Sequence, residues 1–225
     1  MRADFWFINT LVRIGTSIMC RIDALDIDKI PRKGPLIAYS NHTGQIEVPL
    51  MFAHFQPRPM TGFAKIETWD NWFLHWVFDV WGGIPIRRGV ADMEAMRKAL
   101  QVLEKGMIFV IAPEGTRNKT GKLIKAHPGI VTLALRSGAP LLPIVHWGGE
   151  NFLQNLKRLK RTDFRIRVGE PFKLDPGKGR VTSEVRQQMV DEMMYLLAAM
   201  LPEYYRGVYA DMENATDKYI SPVNP

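Results

Sequence analysis

Apolar residues recur at helical spacing through residues 5–22. Phe5, Ile8, Val12 and Met19 are joined by Leu11, Ile18 and Ile22, while Arg13 and Arg21 fall toward the other side. The pattern predicts an amphipathic helix, suited either to lie on a membrane surface or to pack on the domain's own core. The run 30–35 holds two prolines and a glycine and reads as a turn. A strand over 35–39 follows, then a helix over 46–55 that Pro57 and Pro59 break, then a strand over 61–65. Trp69, Trp72, Phe73 and Trp76 share one helical face, which predicts aromatic core packing, with an acyl-chain wall or interfacial belt as the sharper alternative. Further on the pattern gives a short strand over 84–86 running into Arg87 and Arg88, a helix over 93–105 stopped by Gly106, and a buried strand over 107–112. A helix over 130–136 with Pro128 at its start, a buried strand over 141–146, an edge strand over 164–168 and a long helix over 181–200 complete the reading. The tail from Tyr204 is of mixed polarity and suited to wrap the domain.

Strands alternate with helices along most of the chain. That predicts an α/β fold with a largely parallel or mixed central sheet flanked by helices, preceded by an N-terminal amphipathic helix. Residues 1–23 read as that membrane-associating helix and residues 24–225 as a single α/β domain.

Composition sharpens this picture in three places. With 225 residues, 46% of them hydrophobic, the chain can bury a sizeable core in one domain. A net charge of +7 and a pI near 9.6 favour anionic partners. Cys20 is the only cysteine, so there is neither a disulfide framework nor a zinc set of cysteine spacing, and a reducing compartment is expected. The apolar stretch near the start is interrupted by Arg13 and lacks the clean run of about 20 residues that spans a bilayer. Neither a secretory signal of ordinary form nor an internal repeat is visible.

The candidate chemistry centres on Ser40-Asn41-His42-Thr43-Gly44-Gln45-Ile46-Glu47, at the junction between a strand and a helix. Residues five apart inside one helix point about 140° away from each other. His42 placed just before the first turn can nevertheless meet Glu47 about one turn in. Glu47 would then hold one imidazole nitrogen and leave the other free to take a proton, the orienting logic of a triad without its nucleophile. Backbone N–H groups near the start of the following helix are candidate oxyanion donors. Arg87, Arg88, Glu114 and Arg117 also fall at strand ends, where ligand-binding groups collect in open α/β sheets. Arg32, Lys33, Lys157, Arg158, Lys160 and Arg161 read as a solvated basic face, and His54, His75 and His146 as packing or surface residues. No compact metal-ligand pair is present, so no metal is expected.

Four blocks then stand in order: Asn41-His42 with Glu47; Gly83-Ile84-Pro85-Ile86-Arg87-Arg88; Pro113-Glu114-Gly115-Thr116-Arg117; and Ala139-Pro140-Leu141-Leu142-Pro143-Ile144. Through them residues 30–170 resemble the glycerolipid acyltransferases of the 1-acylglycerol-3-phosphate acyltransferase type. The resemblance implies catalytic roles for His42, as general base, and for Glu47. It implies that the base deprotonates an acceptor hydroxyl, which attacks an acyl thioester with no acyl-enzyme. It also implies a substrate-binding set of Lys65, Arg87, Arg88, Glu114, Gly115, Thr116, Arg117 and His127, which shapes the acceptor site and holds its phosphate. Three positions depart from the family's pattern. Glu47 stands where Asp is usual, Arg87 where an acid often precedes the arginine, and His127 where a lysine often follows the third block.

The expected function is transfer of a fatty acyl group to a lysophospholipid, with 1-acylglycerol 3-phosphate giving phosphatidic acid as the leading acceptor. Glycerol 3-phosphate, another lysolipid or a glycolipid are alternative acceptors, and a non-catalytic lipid-binding protein is the rival from another class. The donor is carried by coenzyme A or by acyl carrier protein, as co-substrate, and no cofactor is expected. An anionic membrane surface is the expected partner and nucleic acid is not. The expected place is the cytoplasmic face of the cell membrane, as a peripheral or monotopic protein.

Overall fold

The structure, a computed structural model, describes residues 3–44, 46–55, 57–87 and 92–223. The chain opens with α1 (Ala3–Met19) and β1 (Cys20–Leu25). It then runs β2 (Leu36–Ser40), α2 (Glu47–His54), β3 (Met60–Lys65), α3 (Trp72–Val80), β4 (Ile84–Ile86), α4 (Met93–Glu104) and β5 (Ile108–Ile111). After these come α5 (Gly129–Ser137), β6 (Leu141–Trp147), α6 (Phe152–Lys157), β7 (Thr162–Val168), β8 (Phe172–Leu174), α7 (Ser183–Met200) and β9 (Ile220–Pro222).

Among the described residues the strands form one mixed sheet of nine. Its order is β1-β7-β6-β2-β5-β3-β4, with β8 pairing β6 and β9 pairing β8. Strands β6, β2, β5, β3 and β4 run parallel to one another, and β7 and β8 run antiparallel to β6. Every residue of β2 is buried, as expected of a central strand with helices on both faces. Ile37 and Tyr39 point into the layer built with α4, α5 and α7, while Leu36 and Ala38 point into the layer built with α1, α2 and α3.

Local chemistry fixes the helix ends. The Asp92 carboxylate accepts from Ala95 N (2.9 Å) to start α4, and the Thr182 hydroxyl accepts from Val185 N (3.3 Å) to start α7. Gly138, at φ 63°, closes α5 in the left-handed conformation that glycine adopts without penalty. The buried guanidinium of Arg58 donates to Pro31 O (2.6 Å), Gly34 O and Gly106 O (2.9 Å), fastening the turn before β2 to the end of α4. The Glu192 carboxylate accepts from Thr216 Oγ1 (2.6 Å) and Tyr219 N (2.9 Å), so the tail does wrap back onto the domain.

The structure differs from the sequence pattern in several places. The first helix ends at Met19, and residues 20–25 form β1, parallel to β7 in the register Cys20–Thr162 to Leu25–Arg167. Residue 22 fits a helical spacing as well as an alternating one, and only pairing with a distant strand selects the second. Consequently β7 is not an edge strand, because β1 covers one side of it and β6 the other. The aromatic run is not one helix. Asn71 breaks it, its Oδ1 accepting from Phe73 N and Leu74 N (both 3.1 Å) to cap α3, so Trp69 stays behind in a short 3-10 turn. Nor does the stripe pack in the core, since Trp72 is 80% exposed and Phe73, Leu74 and Trp76 are exposed as well.

Helix α1 presents two apolar faces. Phe5 and Ile8 are buried against the domain, whereas Trp6, Phe7, Leu11, Ile14 and Ile18 face outward beside α3, which α1 touches. No helix among the described residues is long and apolar enough to cross a membrane.

Candidate active site

The carboxyl end of β2 delivers His42 to the middle of the parallel strands, and α2 leaves from the same loop. Glu47 is the first residue of α2 rather than one turn in, and this brings its side chain back over the loop. Glu47 Oε1 lies 2.7 Å from His42 Nδ1 and also accepts from Gly44 N at 3.0 Å. Gly44 N–H is therefore committed to Glu47 and is not a free oxyanion donor.

Burial disfavours the Glu47 carboxylate. The hydrogen bond to His42, with help from its own backbone N–H, outweighs that penalty and draws its pKa down to about 2. Ionised Glu47 can only accept, so Nδ1 of His42 carries a proton, and it is Nε2 that is left to exchange one.

His42 is also held through its main chain. Its N–H donates to Glu114 Oε1 at 2.9 Å, and its carbonyl accepts from Asn118 N at 2.8 Å. The second Glu114 oxygen accepts from Ile124 N at 3.3 Å. Glu114 is only 1% exposed. Burial, helped by the nearby Glu47 charge, pushes its pKa up to about 7 against the pull of the two backbone donors. Both of its oxygens are thus taken by main-chain donors, one of them the N–H of His42.

His42 and Glu47 open onto a cavity of about 470 Å³, within the range of small-molecule sites. Its walls are mostly apolar. Val48, Met51, Phe52, Phe78 and Trp81 line one side, and Met93, Met96, Ile130 and Leu133 the other. Polar groups on the wall include Lys65, at the end of β3, with Asp92, His127, Thr132 and Arg136. Lys65 and His127 come from the sequence-predicted set; Arg136, in the last turn of α5, carried no sequence signal that pointed to it.

The remaining predicted residues are placed differently. Gly115 adopts φ +66° and lines the cavity against the His127 ring, where a Cβ would come within 3.1 Å of Cδ2. Thr116 and Arg117 are exposed on the loop beside it and do not line the cavity. Arg87 borders a neighbouring groove near Asp92. Arg88 lies outside the described residues.

A family model described as Acyltransferase matches residues 21–147. The chain belongs to this acyltransferase family. Its match runs from β1 to the end of β6 and takes in every strand that surrounds His42. Within the family the chain is 32% identical over 154 residues to a 1-acyl-sn-glycerol-3-phosphate acyltransferase of Borreliella burgdorferi, covering 67% of this chain and 61% of that protein. It is 26% identical over 176 residues to a lyso-ornithine lipid O-acyltransferase of Pseudomonas aeruginosa, covering 70% of this chain and 66% of that one. The chain therefore spans about three fifths to two thirds of the length of these two curated relatives. The crystal structure of a 1-acyl-sn-glycerophosphate acyltransferase from Thermotoga maritima shares the fold. Its TM-score is 0.66 at 24% identity, over 84% of this chain and 75% of that chain.

Proposed function

We propose that this acyltransferase-family chain moves a fatty acyl group from a thioester, carried by coenzyme A or acyl carrier protein, to the hydroxyl of a lysophospholipid. 1-Acylglycerol 3-phosphate is the first choice of acceptor, giving phosphatidic acid. The observation that carries the reading is the His42–Glu47 pair, 2.7 Å apart, at the wall of a largely apolar cavity.

In this reading His42 Nε2 takes the acceptor's hydroxyl proton as the oxygen attacks the thioester carbonyl carbon. Glu47 stabilises the imidazolium that forms. Collapse of the tetrahedral intermediate breaks the carbon–sulfur bond, and the departing thiolate takes the proton back from His42. The apolar walls suit acyl chains. Lys65 and Arg136 on the cavity wall, with Arg117 on the loop nearby, suit the phosphate of the acceptor or the anionic carrier of the donor.

The acceptor and donor both bear acyl chains, and the exposed aromatic and aliphatic faces of α1 and α3 suit the protein to sit peripherally on an anionic membrane surface. The cytoplasmic face of the cell membrane follows from the donors, which are made in that compartment's chemistry of free thiols and thioesters.

A second acceptor class is favoured by the Pseudomonas relative, whose name gives it a lyso-ornithine lipid. The deciding experiment measures free thiol released from acyl-CoA and acyl carrier protein in the presence of 1-acylglycerol 3-phosphate, glycerol 3-phosphate and a zwitterionic lysolipid. Thiol release that requires an acceptor and yields its acylated product supports the proposal. Thiol release at the same rate without acceptor, or none with any, overturns it.

A further inference from the structure

Strand β6 runs beside β2 with Ser40 opposite Ile144, so two residues on His146 stands against Asn41 and His42. The contact is unusually complete. Asn41 Nδ2 donates to His146 O (2.8 Å), His146 N donates to Asn41 Oδ1 (3.1 Å), and His146 Nε2 lies 2.7 Å from the Asn41 carbonyl oxygen. Any residue but proline at 146 could supply the two backbone contacts. Only the imidazole supplies the third.

That third contact falls on the peptide unit that joins Asn41 to His42. Its carbonyl is held by His146, and its N–H is held by Glu114 Oε1 at 2.9 Å. A trans peptide is planar and its C=O and N–H point opposite ways, so holding both ends fixes the rotation of the plane. The plane in turn sets the direction in which the next side chain leaves the main chain. We propose that His146 is a positioning residue: its imidazole and the Glu114 carboxyl grip the peptide before His42 from opposite sides and so aim the His42 ring. The inference rests on the reading of His42 as the base.

Two observations argue against simple packing. The Asn41 carbonyl only accepts, so Nε2 of His146 must carry the ring proton, and its Nδ1 is left buried with no partner among the described residues. Packed face to face on Phe164, with centroids 5.5 Å apart and planes 15° from parallel, the position would be filled at less cost by an apolar ring. Burial also pushes the His146 pKa below the ordinary imidazole range, which favours the neutral ring, and the Asn41 carbonyl selects its Nε2–H tautomer.

The test compares His146→Gln with His146→Asn. The glutamine amide nitrogen reaches about where Nε2 stands; the asparagine amide stops short of the Asn41 carbonyl. His146→Gln should keep kcat within about threefold of wild type, while His146→Asn should lose roughly 10–100-fold in kcat with KM for donor and acceptor little changed, as expected when a reacting group is misaimed. Combined with Glu114→Gln, the second substitution should add far less than its separate loss, since both loosen one peptide. In the wild-type protein, ¹⁵N spectra of labelled histidine should show His146 as the neutral Nε2–H tautomer. Equal rates for the two variants, losses that multiply with Glu114→Gln, or an Nδ1–H tautomer would each overturn the inference. A His42→Ala protein that keeps wild-type turnover would instead overturn the reading of the base itself.

Discussion

Glu114 Oε1 accepts the backbone N–H of His42 at 2.9 Å from a position that is almost wholly buried. The acid of the third sequence block is thereby tied to the histidine of the first, 72 residues away along the chain. Its other oxygen accepts from Ile124 N, so the two loops that face the cavity share one carboxyl group.

The protonation of Glu114 should be visible in stability. Its folded pKa, about 7, lies above the ordinary glutamate value of 4.5. The folded state therefore holds a proton that the unfolded chain has given up between those values. Stability from this group is fully present below about pH 4.5, falls as pH rises toward 7, and changes no further above that. The difference amounts to roughly 2–3 kcal/mol between pH 5 and 7.5. Glu114→Gln abolishes this slope, although its amide donor meets one of the two N–H groups and lowers stability at the acid end. Denaturant unfolding of both proteins at pH 5 and 7.5 checks it; parallel pH dependences would show that Glu114 does not titrate in this window.

His42→Ala should remove turnover, by roughly 10²–10⁴-fold, and leave the fold intact. Glu47→Gln should cost less, because the imidazole stays and the amide oxygen can still accept from Nδ1. With its pKa near 2, Glu47 remains ionised at any pH where activity is measured, and its stabilising contribution is lost only as pH falls from about 4.5 toward 2. Steady-state rates on proteins of matched melting behaviour decide this, and a Glu47→Gln loss larger than that of His42→Ala would contradict the assigned order.

The cations around the cavity should separate by acceptor. Lys65→Ala and Arg117→Ala should each weaken a phosphate-bearing acceptor by roughly 1.5–3 kcal/mol if they contact it, as charge-assisted hydrogen bonds do. A lysolipid without that phosphate should be spared. Lys65 also pairs with Glu67 at 3.2 Å, an exposed contact that adds little to stability, so its loss should be functional. Apparent KM for the two acceptors is the readout, and equal losses on both would assign these side chains a structural role.

Membrane attachment should follow the outer faces of α1 and α3. Phe7→Ser, Ile18→Ser and Trp72→Ser remove exposed side chains, each worth up to about 1.5–3 kcal/mol when buried in lipid. They should reduce co-sedimentation with anionic vesicles at unchanged melting temperature. Phe5→Ser, on the inner face, should instead lower the melting temperature. Unchanged sedimentation of all three outer-face variants would exclude these helices as the docking surface.

The sequence by itself determined the order and type of most elements, because continuous apolar runs such as 36–39 and the amphipathic period of 93–104 are local properties. It also determined that an imidazole and a carboxylate meet at one loop, since His42 and Glu47 are close along the chain and separated only by a strand-to-helix turn. Tertiary structure decided what depends on distant partners. Residues 20–25 became a strand only by pairing with β7, and that pairing turned an expected edge strand into an interior one. The aromatic run was split by the Asn71 cap, and α3 turns Val77 into the core while Trp72, Phe73 and Trp76 face outward. Glu114 and Arg117 are close neighbours in one polar loop, and no local pattern distinguishes them. One is buried behind His42 and the other exposed, because the main-chain donors of His42 and Ile124 lie on only one side of that loop. His146 reads as an ordinary core residue in its strand. Its hold on the Asn41–His42 peptide exists only because β6 and β2 lie side by side, a proximity set by the sheet order and not by the chain between them.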